Sequence, residues 1–245
     1  MYKTITKSLT ILLLVLLVIS KPLTIHASGE KTPPPKSISV TPASIYWEPA
    51  ELKSDLKFKI YYKDKWSGES YKLVATCKGF DEEYYTPKNT WFYLRDASNE
   101  KDPQIKKEKR DGITYYSLPA ISGHKYKVAV KVYDEKYGLW SDITAAELYY
   151  MSTPKSSIKQ TKKGVSISWK PVTGATKYYV ERISLPSNRK ETEGVSFKIV
   201  GNDQTRFLDK DVIEGMRYQY RIVAGRGKWL SGFDFLPQVI VDLPE

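Results

Sequence analysis

The chain has 245 residues, 41% of them hydrophobic, with 39 Lys and Arg against 28 Asp and Glu and a formal net charge of +11. That length bounds the answer to one or two domains with packed cores. One cysteine excludes an intrachain disulfide, and two histidines exclude a histidine-based zinc site. The 19 tyrosines lean the chain toward strands, because a tyrosine ring fits a half-buried pleated surface.

The first residues read as an export signal. Lys3 and Lys7 make a positive start, Leu9 to Ile19 is an apolar run interrupted only by Thr10, and Pro22 precedes the small residues Ala27 and Ser28. Such a run is too short for a membrane span, which needs about 20 apolar residues. Residues 1–27 are therefore expected to be a signal peptide cut after Ala27, with an uncleaved N-terminal anchor as the alternative. Cleavage would remove three lysines and no acid, taking the net charge from +11 to +8. Residues 28–36 hold Pro33, Pro34 and Pro35 and read as an extended polyproline spacer.

From Ser37 onward, short strand-like runs alternate with turn signals, and the second half repeats the first. Tyr46-Trp47-Glu48-Pro49 matches Ser168-Trp169-Lys170-Pro171. Each is followed by an alternating strand: Phe58, Ile60 and Tyr62 in one half, and Tyr178, Val180 and Arg182 in the other, after Thr173-Gly174-Ala175. Gly123-His124-Lys125-Tyr126 matches Gly215-Met216-Arg217-Tyr218, and each tyrosine opens a period-2 strand. Tyr126, Val128, Val130 and Val132 point one way, as do Tyr218, Tyr220, Ile222 and Ala224. Such alternation means one face on a core and one in water. Trp140-Ser141 and Trp229-Leu230-Ser231 close the two halves. Cys77 lies in the alternating run from Tyr71 and reads as a small half-buried hydrophobe, with interchain pairing as the alternative.

These features resemble fibronectin type III domains over nearly all of the chain beyond the signal. The resemblance implies an all-β fold of two tandem antiparallel sandwiches, 37–150 and 151–245, with Trp47 and Trp169 in the core from the second strand. It assigns Tyr126 and Tyr218 to the corner before the sixth strand. Trp169 and Tyr218 are 49 residues apart, whereas Trp47 and Tyr126 are 79 apart. The first domain therefore carries an insertion at about 79–115. Thr90 to Arg95 and Ile113 to Leu118 are expected to form an extra hairpin, joined by a polar loop from Asp96 to Gly112. Contacts between such domains are usually small, so the two are expected to melt separately. The leader and the Lys/Tyr-rich composition look like those of a Gram-positive secreted protein. The chain's last residues carry no wall-sorting motif, so covalent anchoring is not expected.

Chemistry is sparse. His26 leaves with the signal, and His124 sits at a turn with no Ser, Cys or Asp partner that the sequence places. The acids Asp81, Glu82, Glu83, Asp96, Glu100 and Asp102 could in principle serve glycoside hydrolysis, but read as solvated loop charge. Asp96 to Asp102 lacks the glycine and terminal glutamate of an EF-hand loop. No cofactor or metal is expected. A carbohydrate-active accessory or enzyme that uses the inserted segment, and a structural spacer in a surface assembly, are the competing classes.

Two sets of binding residues remain. With Phe58, Ile60 and Tyr62 inward, Lys57, Lys59 and Lys63 point outward. With Tyr126, Val128, Val130 and Val132 inward, Lys125, Lys127 and Lys131 do so too. In the fibronectin type III arrangement these strands are neighbours, so the six lysines share one face, suited to a polyanion or simply to a solvated sheet. The second set is aromatic: Trp66, Tyr84, Tyr85, Trp91 and Trp229 lie in or near loops and suit sugar faces or protein partners. The expected partner is a polyanionic or neutral polysaccharide, a wall polymer or another protein, met outside the cell or at its surface, and not nucleic acid. N-terminal sequencing of the exported protein should begin at Ser28; full-length chain retained in the membrane fraction would refute the cleavage.

Overall fold

The computed structural model describes residues 31–53, 55–83, 86–185, 195–201 and 203–242. The expected signal peptide, and Tyr84 and Tyr85, lie outside the described residues. Every regular element among those described is a strand, and no helix there is long and apolar enough to cross a membrane.

The period-2 runs become strands with one dry face. In the first half these are β1 (Ser37–Val40), β2 (Ile45–Glu48), β3 (Lys57–Asp64), β4 (Lys72–Lys78), β5 (Phe80–Asp81), β6 (Thr86–Pro87), β7 (Thr90–Asp96), β8 (Lys106–Arg110), β9 (Ile113–Ala120), β10 (Lys125–Tyr133) and β11 (Thr144–Tyr149). One layer is the antiparallel sheet β11-β10-β3-β4, and β1-β2 and β7-β9-β8 supply the other. Phe58, Ile60, Tyr62, Tyr126, Val128, Val130 and Val132 are all buried between them, as the alternation requires. Trp47 joins this core, its ring 5.4 Å from Phe58 and 6.3 Å from Phe92. The corner tyrosine closes as the resemblance implies, with the Ile121 amide donating to Tyr126 Oη at 2.7 Å.

The second sandwich has β12 (Ser156–Thr161), β13 (Gly164–Trp169), β14 (Lys177–Leu185), β15 (Val195–Gly201), β16 (Arg206–Asp209), β17 (Arg217–Arg226), β18 (Trp229–Leu230) and β19 (Val239–Ile240). Its sheets are β12-β13-β16 and β15-β14-β17-β18, with β19 also on β17. Trp169 packs 5.3 Å from Tyr178 in the core, and the Ile213 amide donates to Tyr218 Oη at 3.1 Å. The fold is thus two tandem antiparallel sandwiches of the fibronectin type III kind.

Two expectations need correction. The inserted segment does not make a hairpin of Thr90–Arg95 with Ile113–Leu118: β7 and β9 pair in parallel, which a short turn cannot connect. The chain instead passes through β8, which lies inside the expected loop and forms the true hairpin with β9. Asp111 and Gly112 make that turn with φ of 49° and 81°, the backbone a two-residue hairpin turn demands. From Thr32 to Lys36 the polyproline stretch is not a free spacer either; residues 28–30 lie outside the described residues. A polyproline helix repeats every three residues, so Thr32 and Pro35 share a side, and both are buried. The Thr32 hydroxyl donates to the Leu139 carbonyl, and that of Thr144 donates to the Pro35 carbonyl at 3.0 Å.

The joint between sandwiches is packed rather than bare. Tyr150 belongs to the first core and Met151 to the second, and Trp229 packs against both. The Ser122 hydroxyl donates to the Thr173 carbonyl at 3.0 Å, and the Arg226 guanidinium lies 4.8 Å from the centre of the Tyr149 ring. Gly174, at φ +87°, has no room for a side chain: a Cβ would lie 2.9 Å from Gly123 Cα and 2.5 Å from Tyr149 Oη. The two sandwiches should therefore unfold as coupled units. Calorimetry should show Trp229→Ala lowering the transitions of both, by about 2 kcal/mol for a half-buried aromatic, whereas Trp169→Ala should cost about 3–5 kcal/mol and act mainly on the second. A first-sandwich transition unmoved by Trp229→Ala would show that the joint carries no coupling.

Candidate functional site

The outer face of the β11-β10-β3-β4 sheet follows from the same alternation. Between buried residues, Lys57, Lys59 and Lys63 of β3 and Lys125, Lys127 and Lys131 of β10 all turn to solvent. The register sets Lys59 opposite Lys131 and Lys63 opposite Lys127, and Lys57 opposite Tyr133. Like charges directly opposite one another repel, so the strand pairing places two cross-strand repulsions on one surface.

Aromatic rings and a few acids temper that repulsion. The Lys59 ammonium lies 4.4 Å from the centre of the Trp140 ring, and that of Lys63 lies 4.8 Å from Tyr71. Lys57 stands 5.1 Å from Tyr133 and 3.2 Å from the Glu135 carboxylate. Cation–ring contacts of this sort hold an ammonium over a surface while leaving it free to meet an anion. Glu147 of β11 sits opposite Lys127 and pairs with Lys65 at 2.7 Å. The Lys65 hydrogen bond, and then the charges of Lys65, Lys127 and Lys125, hold its carboxyl below the usual range. Lys125 leans toward the second sandwich, 5.7 Å from the Trp229 ring. The surface is a basic sheet face inlaid with aromatic rings.

The aromatic set is scattered. Trp66 is 66% exposed at the end of β3 and stacks on His124 at 5.2 Å. Trp91 is not a loop residue but lies half-buried in β7, its indole donating to the Ala43 carbonyl at 3.3 Å. Trp229 is spent on the two cores. Three acids of the inserted segment are engaged locally: Arg95 and Lys106 hold Glu100, Ser98 donates to Asp96, and Gln104 donates to Asp102.

Two features escape sequence reading. Asp64, 60 residues away in sequence, meets His124 Nδ1 at 2.8 Å, a partner only the strand pairing supplies. The matching outer face of the second sandwich has an apolar row instead of paired lysines: Ile199, Tyr179 and Val223 line up across β15, β14 and β17. Beside them the Glu181 carboxylate is buried and paired with Arg221, whose guanidinium lies 3.9 Å from the Phe233 ring and 5.3 Å from that of Phe235. The outward parity of Glu181 and Arg221 reads as solvated charge; the cover comes from Phe233 and Phe235, roughly fifty residues on in the chain from Glu181.

The fold is a tandem of fibronectin type III-like sandwiches, the first with a basic, aromatic-inlaid sheet face. Among solved structures the chain is similar to a two-domain fibronectin type III segment of chicken tenascin, at 17% identity over 85% of this chain and 99% of that one, with a TM-score of 0.34. It is also similar to the chicken CNTN1 FN1–FN3 domains, at 16% identity over 86% of this chain and 69% of that one, TM-score 0.35. No family model matches the chain, and no curated protein does.

Cys77 backs this sheet from β4, packed against the first core. Burial pushes its thiol up to about 11, against a weaker pull downward from the Thr90 hydrogen bond and Lys107. The thiolate is the reactive form. Alkylation by iodoacetamide at pH 8 should therefore run about a hundredfold slower on folded protein than in urea, and should accelerate toward pH 11. Equal rates in the two states would contradict the burial.

Proposed function

We propose that this chain is a non-catalytic binding protein that works outside the cell or at its surface and holds acidic polymers on the outer face of its first sandwich. One observation carries the reading: the register sets two lysine pairs, Lys59 with Lys131 and Lys63 with Lys127, directly opposite each other with further lysines on both strands. An anionic polymer laid across them relieves the repulsion between the pairs, and rings such as Trp140 and Tyr71 beneath the ammonium groups give sugar units something to rest on. The export signal read at residues 1–27 supports the extracellular setting, where acidic wall polymers and acidic polysaccharides are the available polyanions.

Binding to dextran sulfate and to purified acidic wall polymers should weaken strongly with salt, since exposed charges are screened beyond about 8 Å at physiological ionic strength. Neutral dextran should bind little. In Lys59→Glu/Lys127→Glu, two repelling lysine pairs become attracting ones worth roughly 0.2–1 kcal/mol each, while the new carboxylate at 127 faces Glu147 and repels it by a similar amount. That variant should lose about tenfold or more in polymer affinity while melting close to the parent. Polymer binding that ignores both salt and the double substitution would sink the proposal.

A further inference from the structure

A cleft of about 640 Å³ opens where the two sandwiches meet. Buried Leu148 and Met151 form its floor. Tyr93 of β7 makes one wall, and Leu230 and Phe233 of the second sandwich make another. Leu230 and Phe233 remain 46% and 43% exposed, so large apolar side chains stand in water there although a packed joint lies directly beneath. The volume falls within the roughly 300–1,000 Å³ of ordinary small-ligand sites, which are mostly apolar with a few polar groups that fix orientation.

The charge at the cleft is one-signed. Lys228 is the only charged residue lining it among the described residues. It stands at the β17–β18 turn, exposed, with its ammonium 5.5 Å from the Trp229 ring. Lys125 of the first sandwich approaches the same ring at 5.7 Å. An apolar hollow with one cation and no acid in its lining complements a molecule with an apolar body and a single anionic head.

We infer that the cleft between the sandwiches binds a free single-chain amphiphile of fatty-carboxylate type, its chain against Leu148, Tyr93, Leu230 and Phe233 and its carboxylate facing Lys228. This site is separate from the polymer-binding face and does not depend on it. Because the lining comes from both sandwiches, a bound amphiphile also clamps the joint, and ligand that binds only the folded, docked form stabilises both halves.

The test is calorimetric titration of the mature protein with decanoate below its micellar concentration, alongside decyltrimethylammonium and decanol. Decanoate should bind saturably at one site and raise both melting transitions. The cation should bind about tenfold weaker or less. Lys228→Glu should lose about tenfold for decanoate and bind the cation about as tightly as the parent binds decanoate. Ala43 lines the cleft and is exposed, so Ala43→Trp should narrow it without disturbing a core and also weaken decanoate. The Lys59→Glu/Lys127→Glu variant should bind decanoate like the parent; loss there would move the amphiphile to the basic sheet and overturn the assignment. So would equal binding of anion and cation, or an Ala43→Trp protein with unchanged affinity. Binding to phosphatidylglycerol vesicles without binding to monomeric decanoate would also refute it, in favour of a membrane surface.

Discussion

No covalent cross-link holds either sandwich, so each stands on the packing of two inner sheet faces around one tryptophan. Trp47 meets Phe58 and Phe92, and Trp169 meets Tyr178, in matching positions. Neither indole N–H finds an acceptor among the described residues, and a buried donor left unpaired costs about 1–3 kcal/mol. The ring's bulk, not its polar handle, is what these cores use. Because strand side chains alternate with period 2, committing one set of residues to the tryptophan commits the next set to solvent. The surface chemistry of each sheet follows from the demands of its core.

The two sandwiches use that freedom in opposite ways. Around the first, the outward residues of the central strands include lysines laid over Trp140, Tyr71 and Tyr133, half-buried by those rings and cationic. Around the second, the equivalent strands present Tyr179, Ile199 and Val223 beside a charge pair that has been taken out of water. A buried Glu–Arg pair contributes little net stability, since desolvation offsets most of the attraction, yet removal of either partner alone is strongly destabilising. Glu181 and Arg221 therefore tie the segment carrying Phe233 and Phe235 to the sheet more than they strengthen it. The repeat duplicates cores and corners; it does not duplicate surfaces.

Between them the joint converts two repeats into one body from Thr32 onward. Close approach of Gly123 and Gly174 brings the corner of one sandwich against a turn of the other, and Trp229 seals what the glycines leave. The docked polyproline stretch extends the same economy at the other end, where Thr32 and Pro35 bury a side of the chain that composition alone marks as a spacer.

How much of this was legible in sequence depends on whether a pattern is local. The alternations at Phe58–Tyr62, Tyr126–Val132 and Tyr218–Ala224 each contain their own face assignment, so the strands, the two cores and the outward lysines could be read directly. The inserted segment could not be read that way. β8 is exposed on both faces and shows no apolar alternation, leaving only Asp111-Gly112 to mark its hairpin; the parallel pairing of β7 with β9 has no local signature at all. The Asp64–His124 contact, the cover over Glu181, the burial of Thr32 and the cleft at Trp229 each join residues far apart in the chain. By itself the sequence determined which side of each regular strand is dry, because periodicity is a property of neighbours. Only the tertiary structure decided which surfaces meet, because that depends on how distant segments pack and which side chains fill the space between them.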